Sequence, residues 1–162
     1  MDVPGAVREL RERMVADGAA SSFMEINAGL CGDFATELLG MLASQAGLSL
    51  GDFLGAWVHG VTDFVKVDPG TGFACDSGGP FDRDLIGHHW KGVVPPEGLD
   101  WDDLDRLSSD AGFTAGTHVF LYADGLFYDA EAPDGVASFF DLPFFERVIG
   151  GWKASVAGIS PR

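Results

Sequence analysis

The chain has 162 residues, a formal net charge of −15 and an apolar fraction of 46%. This length and composition support a folded core, and we expect a single domain over residues 1–162. The negative charge argues against nucleic acid and anionic membrane surfaces as partners, because their phosphates attract Lys and Arg. It leaves basic or neutral partners, including a peptide or other amide-bearing substrate.

The N-terminal sequence has no basic region followed by an apolar run, so a signal peptide is not expected. No stretch of about 18 uninterrupted apolar residues is present, so we expect no membrane-spanning segment. These features predict a cytoplasmic protein. Its two cysteines, Cys31 and Cys75, are then expected to stay reduced.

The first third of the chain carries mainly helical patterns. Residues 4–17 have a narrow apolar stripe and a Pro in the first turn, which predicts a helix. Residues 24–27 are expected to form a short extended piece. From Cys31 onward, apolar residues recur at three- and four-residue spacing, which predicts a helix ending near Gly47. Asp52 is expected to cap a further helix.

The middle of the chain, residues 68–98, is rich in Gly, Pro and Asp and predicts a long irregular connection. Loops of this length inside a compact domain are often functional, and Trp90 is a candidate for substrate contact. His88 and His89 lie in the same stretch as Cys75, but their spacing matches no tight zinc pattern. We expect no metal and no cofactor, and keep a metal-dependent hydrolase at the His pair as an alternative.

Residues 116–131 predict a β-hairpin, because β-branched and aromatic runs flank an Asp-Gly pair at 124–125. With that pair as the loop, Ala123 lies opposite Leu126, and the pairing is fixed outward from there. Side chains alternate between the two faces of a hairpin. One face is then apolar and consists of Val119, Leu121, Ala123, Leu126, Tyr128 and Ala130.

The other face of the hairpin carries His118 and Asp129 as diagonal neighbours. A carboxylate at that reach holds an imidazole in one tautomer and stabilises its protonated form. Glu131, which the register places directly opposite His118, is the rival orienting residue. We favour Asp129 because its shorter side chain is stiffer and because Glu131 lies nearer the end of the strand.

The C-terminal part of the chain carries two further helical patterns. A short helix with an acidic start is expected before the hairpin, at residues 101–107. After a turn at residues 133–136, a closing helix is expected to start at Pro143. Residues 154–162 are expected to form a frayed tail.

Cys31 is the candidate nucleophile because it opens the best-supported helix. The N–H groups and dipole of a helix N-terminus favour a thiolate and can also donate to an oxyanion. The alternative is a buried structural cysteine. The His–Asp pair favours the catalytic interpretation, since the three roles of a nucleophile triad are then filled. Asn27 is either a second oxyanion donor or a turn-forming residue.

Residues 27–35 and 118–131 together resemble the papain-like superfamily of cysteine peptidases. The most similar branches are the NlpC/P60 and transglutaminase-like peptidases, which include small phage and bacterial proteins. In that superfamily a Cys opens a helix that packs on an antiparallel sheet, a His begins one strand, and an acidic or polar residue lies on the next. Cys31, His118 and Asp129 match those positions. The resemblance implies an α+β, papain-like fold with N-terminal helices packed on an antiparallel sheet.

We therefore predict a thiol-dependent hydrolase or acyltransferase that acts on an amide, peptide or isopeptide bond. Cys31, His118 and Asp129 are the expected catalytic residues, with Asn27 and Trp90 at the oxyanion and substrate positions. Peptidase, amidase, deamidase and cross-linking reactions all stay open. The alternative is a non-catalytic binding module that keeps the papain-like fold.

Overall fold

In the computed structural model of the chain, most of the described residues are helical. Everything below refers to these residues alone. The predictions that concern His88, His89 and Trp90 lie outside them. The described residues are 2–53, 74–75, 94–103, 106, 116–118, 120–123 and 125–156.

The first helix, α1, spans Val3–Ala16, as the sequence predicted. The Asp2 carboxylate accepts a hydrogen bond from the Gly5 N–H at 2.9 Å and so satisfies one of the unpaired donors at the start of the helix. One side of the helix is apolar and faces the core. Its buried residues are Val3, Ala6, Val7, Leu10 and Met14.

The second helix, α2, spans Phe23–Gly29, so the prediction of an extended piece at residues 24–27 is wrong. The Ser22 hydroxyl accepts a hydrogen bond from the Glu25 N–H at 3.2 Å, and the Glu25 carboxylate accepts one from the Ser21 N–H. This reciprocal capping satisfies two donors at the helix start. It therefore favours a helix in a segment too short to show clear helical periodicity.

The third helix, α3, spans Cys31–Gln45 and starts at the residue that the sequence indicated. Leu30 joins it to α2 without a loop. The Leu30 N–H donates to the Ile26 carbonyl at 2.8 Å, and the Leu30 carbonyl accepts from the Phe34 N–H at 2.9 Å. The position of Cys31 is therefore fixed by the backbone of both helices.

Two short helical segments follow at residues 50–53 and 101–103. Ser49, and not Asp52, caps the first: its hydroxyl accepts from the Asp52 N–H at 3.1 Å. The predicted cap is therefore three residues too late. The second segment confirms the start of the helix predicted at residues 101–107.

The hairpin forms around the predicted Asp-Gly loop. Strand β3 (Leu121–Ala123) pairs with β4 (Leu126–Tyr128), and Ala123 lies opposite Leu126 as expected. Gly125 has a φ of +78°, a value that the loop requires and that glycine adopts without strain.

The pairing ends after three residues on each strand, so His118 and Glu131 are not the opposed pair that the sequence predicted. Past β4, the Asp129 carboxylate accepts hydrogen bonds from the N–H groups of Glu131 and Ala132. These bonds turn the chain away from the partner strand, because a short polar side chain competes with the ladder for backbone donors.

The prediction of an α+β, papain-like fold with helices packed on an antiparallel sheet is wrong. The structure is mostly helical, and the described strands form two separate two-stranded pairs. Besides the hairpin, β1 (Ala74–Cys75) pairs antiparallel with β2 (Gly116–Thr117). The turn after β4 limits the hairpin to three residues per strand, and on its other side β4 has only one isolated bridge among the described residues, from Phe127 to Val136.

The two faces of the hairpin lie in two different apolar clusters. Its apolar face belongs to a first, mixed cluster together with buried residues of α1, α2 and α3, including Cys31. Four of the six residues predicted for that face are buried there, and Leu126 packs against the cluster. The opposite face meets an aromatic cluster of Phe120, Phe127, Phe140, Phe144 and Phe145.

The last helix, α4, spans Pro143–Val156 and starts at the predicted proline. It continues past the predicted end, so residues 154–156 are helical and not frayed. A short 3₁₀ helix, Phe139–Asp141, precedes it. None of the helices in the described ranges is long and apolar enough to cross a bilayer.

We expect Gly135→Ala to destabilise the fold by about 2 kcal/mol or more. Gly135 has a φ of +77°, and a Cβ there would lie 2.8 Å from the Tyr128 ring and 2.9 Å from the Leu126 Cβ. Gly18→Ala is the matched control, since Gly18 has a φ of +76° but open space around it. Gly18→Ala should lower the free energy of unfolding by only about 1 kcal/mol. Urea unfolding measures both, and equal losses would contradict the predicted clash.

Candidate active site

His118 and Asp129 form a hydrogen-bonded pair in the interior of the protein. The His118 Nε2 donates to the Asp129 Oδ2 at 3.0 Å, and the two side chains are 0% and 1% exposed. The bond fixes the ring orientation, because a carboxylate only accepts and so requires a proton on Nε2. The sequence-predicted diagonal contact is therefore present, although the ladder does not extend to it.

Asp129 is held by both of its carboxylate oxygens. Oδ2 contacts His118, while Oδ1 accepts from the N–H groups of Glu131 at 2.9 Å and Ala132 at 3.0 Å. Each oxygen thus has its own partners, and the turn that interrupts the hairpin also orients the carboxylate. These three donors satisfy the hydrogen-bonding needs of a carboxylate that is shielded from water.

Cys31 lies at the first turn of α3 and is 8% exposed. Its thiol lies close enough to the His118 ring to raise the pKa of that imidazole. The Nε2 of His118 is taken by Asp129, so Nδ1 is the ring nitrogen left for proton exchange with the thiol. Nδ1 is buried, and no aligned hydrogen bond to it is present among the described residues. Such contacts in unliganded sites often tighten only when substrate binds.

The pKa of His118 is raised above its usual value of 6.5. Burial, the largest influence, would lower the pKa because it disfavours the charged ring. The hydrogen bond to Asp129, the charge of that carboxylate and the nearby Cys31 side chain raise the pKa and together outweigh burial. The site therefore makes protonation of the imidazole more favourable than it is for a free histidine.

Aromatic side chains surround the His118 ring. Phe144 stacks on it with centroids 4.2 Å apart and an angle of 20° between the planes. Phe145 contacts its edge at 5.6 Å, and Phe120 lies at 6.1 Å. This packing prevents rotation of the ring and excludes water from the pair with Asp129. It follows that the first turn of α4 forms one wall of the site.

The loop that follows Asp129 is held by α1. Arg8 forms an ion pair with Asp134, and Arg11 donates to the Ala130 carbonyl at 3.2 Å. The Arg11 guanidinium also lies 4.2 Å from the centre of the Phe23 ring at the start of α2. These contacts connect the loop to two helices, although each exposed ion pair contributes little alone.

Glu131, the rival orienting residue in the sequence analysis, has other partners. Both of its carboxylate oxygens accept from Arg147 of α4 at 2.7 Å, and one also accepts from the Asn27 amide at 2.8 Å. Sequence reasoning missed Arg147, because an ion pair between residues 16 apart leaves no local pattern. The geometry thus selects Asp129 as the residue that contacts the imidazole.

Asn27 lies on α2, one helical turn before Cys31, and is 2% exposed. Its interpretation as a turn-forming residue is wrong, because it is helical. One amide hydrogen is used by Glu131, which leaves the other for the predicted oxyanion role. That role stays a prediction, as does the substrate contact of Trp90.

The described residues contain no group of three or more His, Cys, Asp or Glu side chains placed to hold a metal ion. The His88 and His89 alternative lies outside these residues.

The chain matches no protein-family model, no curated protein and no solved structure. The papain-like resemblance therefore rests on residue order and spacing alone. The function has to be argued from the geometry of Cys31, His118 and Asp129.

We expect the free energy of unfolding to decrease as the pH rises through the raised pKa of His118. A histidine whose pKa is higher in the folded than in the unfolded protein stabilises the fold fully below its unfolded pKa, about 6.5. This stabilisation is lost as the pH rises through the folded pKa. Asp129→Asn should flatten the dependence, because the amide has no charge to stabilise the imidazolium. Urea titrations from pH 5.5 to 9 measure this slope, and an unchanged slope in the variant would refute the coupling.

Proposed function

We propose that this protein is a thiol-dependent hydrolase or acyltransferase acting on an amide, peptide or isopeptide bond. The observation that carries the proposal is that one imidazole is hydrogen-bonded to a carboxylate and lies close enough to a thiol for that thiol to affect its pKa. His118 bonds Asp129 at 3.0 Å and interacts with Cys31 at a helix start. The proximity of these three side chains supports the proposal, because acyl transfer through a thioester needs a nucleophile, a base and a residue that orients the base.

The reaction starts with transfer of the Cys31 thiol proton to the Nδ1 of His118. Asp129 stabilises the resulting imidazolium through the Nε2 hydrogen. The sulfur then attacks the substrate carbonyl carbon, a C–S bond forms, and the carbonyl oxygen takes the negative charge. Because the pKa of His118 is raised, the ring accepts the thiol proton more readily than a free histidine would.

The oxyanion needs hydrogen-bond donors beside Cys31. The first N–H groups of α3 point outward from the helix start, and Leu30, which precedes them, has no polar side chain with which to cap them. The second amide hydrogen of Asn27, one turn earlier, is the candidate side-chain donor. These donors would act only when charge develops on the oxygen.

Collapse of the tetrahedral intermediate breaks the C–N bond, and the imidazolium gives its proton to the departing amine. Water then attacks the thioester to release the acid, with His118 as its base. An amine in place of water turns the same centre into a transamidating one. Peptidase, amidase, deamidase and cross-linking reactions share these steps.

A non-catalytic binding module is the second candidate, and the burial of the site favours it. His118 is fully buried and Cys31 is 8% exposed, so little of either group faces solvent. In this alternative, the His118–Asp129 pair is a satisfied polar contact of the interior. The reactivity of the thiol separates the two candidates.

We expect iodoacetamide to alkylate Cys31 at pH 6 faster than it alkylates the same residue in urea-unfolded protein. The thiolate–imidazolium pair supplies thiolate at a pH where an ordinary thiol is protonated. His118→Gln should lower the folded-state rate by about tenfold or more, because the counter-ion is lost. Peptide mass spectrometry separates modification of Cys31 from that of Cys75.

Cys31→Ala identifies the modified peptide, and Arg8→Gln, which changes only an exposed ion pair, is the matched control. A folded-state rate below that of the unfolded thiol at every pH from 5 to 9 would reject the activated nucleophile. That result would support the binding module instead.

Any amidase or peptidase activity should be insensitive to EDTA, because the proposed steps need only the thiol and the imidazole. The activity should also be lost in Cys31→Ala. Activity that survives Cys31→Ala and is abolished by EDTA would instead support the metal alternative at His88 and His89.

A further inference from the structure

We infer that Glu131 is a positioning residue, which links the segment that carries Cys31 to the loop that carries Asp129 and neutralises Arg147 beside them. This inference rests on the proposed function, since the two elements that it links are those that hold the proposed nucleophile and base. It concerns a residue that contacts neither the thiol nor the imidazole by a hydrogen bond among the described residues.

The backbone of Glu131 belongs to the Asp129 side of the site. Its N–H donates to the Asp129 Oδ1 at 2.9 Å, while the other oxygen of Asp129 contacts His118. A shift of the Glu131 backbone therefore rotates the carboxylate that orients the imidazole.

The side chain of Glu131 belongs to the Cys31 side. It accepts from the Asn27 amide at 2.8 Å, and Asn27 lies one turn before Cys31 on the helix that runs into α3 through Leu30. Asn27 is buried and Glu131 has a side chain only 15% exposed, so this hydrogen bond is largely shielded from solvent. One residue thus fixes the distance between the two halves of the site.

The positive charge of Arg147 lies near the site and needs a carboxylate partner other than Asp129. The paired carboxylate of Glu131 raises the pKa of Arg147, and the charge of Asp129 also acts on this guanidinium, as does that of Glu146. Arg147 is therefore near enough for its charge to act on the Asp129 carboxylate. The two-bond pair with Glu131, at 2.7 Å each, satisfies the guanidinium and leaves Asp129 to the imidazole.

The groups facing His118 are few within the described ranges. The titratable ones are the Cys31 thiol and the Asp129 carboxylate, while α4 presents two phenyl rings. The nearest charges of α4 are Glu146 and Arg147. Changing Glu131 or Arg147 should therefore shift the titration of His118 in opposite directions.

The test is a ¹H NMR titration of the His118 ring, assigned with His118→Gln, together with Cys31 alkylation at pH 7. Glu131→Gln should lower the pKa of His118 by about half a unit or more, because Arg147 is then free to pair with Asp129. Alkylation should slow by about threefold or more, since less imidazolium is present. Arg147→Gln should raise the pKa of His118.

The double variant Glu131→Gln/Arg147→Gln separates positioning from a simple structural role. If Glu131 acts by satisfying Arg147, removal of both charges restores the pKa of His118 towards that of the unmodified protein. Arg8→Gln, which breaks an ion pair on the same loop, should leave it unchanged.

Shifts in the same direction for the two single variants, or no shift in either, would overturn the inference. So would a double variant that is no closer to the unmodified protein than Glu131→Gln. The proposed function fails separately, when Cys31 of the unmodified protein is alkylated no faster than the unfolded thiol. The NMR shifts are measured independently of that result.

Discussion

The hydrogen bond between His118 and Asp129 is the constraint on which the rest of the structure depends. Both side chains are buried, and a buried ionisable pair is stable only if its hydrogen-bonding groups are satisfied. Asp129 meets this need by turning the chain, which ends the hairpin after three residues. The loop so formed is then held by arginines from α1 and α4. The site and the limit of the strand pair thus have one cause.

Local chemistry in the sequence specified much of the site. The Asp-Gly pair set the hairpin register, and alternation of side chains then separated an apolar face from the face with His118. The change to helical spacing at Cys31 located the start of α3. These features depend on neighbours close in the chain, so they were predictable without coordinates.

The parts that sequence reasoning missed depend on competition or on distance. The Asp129 side chain accepts hydrogen bonds from backbone N–H groups that a longer hairpin would have paired between its strands. The resemblance to papain-like peptidases therefore overestimated the strand content. Helix α2 is seven residues long, so its capping pair is a stronger signal than its periodicity. Arg147 and Glu131 are too far apart in the chain for a pattern of neighbouring residues to predict their ion pair. The correct register of a hairpin therefore does not determine the fold around it.

The separation of the interior into a mixed cluster and an aromatic cluster bears on how the candidate site would respond to a loosening of the packing. Cys31 belongs to the first cluster, whereas Phe144 and Phe145 of the second enclose His118. Sulfur and imidazole thus meet at a seam between two packing units. A local opening between these two clusters would separate the Cys31 thiol from the His118 ring while every helix stays intact. The reactivity of Cys31 would then change before the circular dichroism signal of the helices decreases.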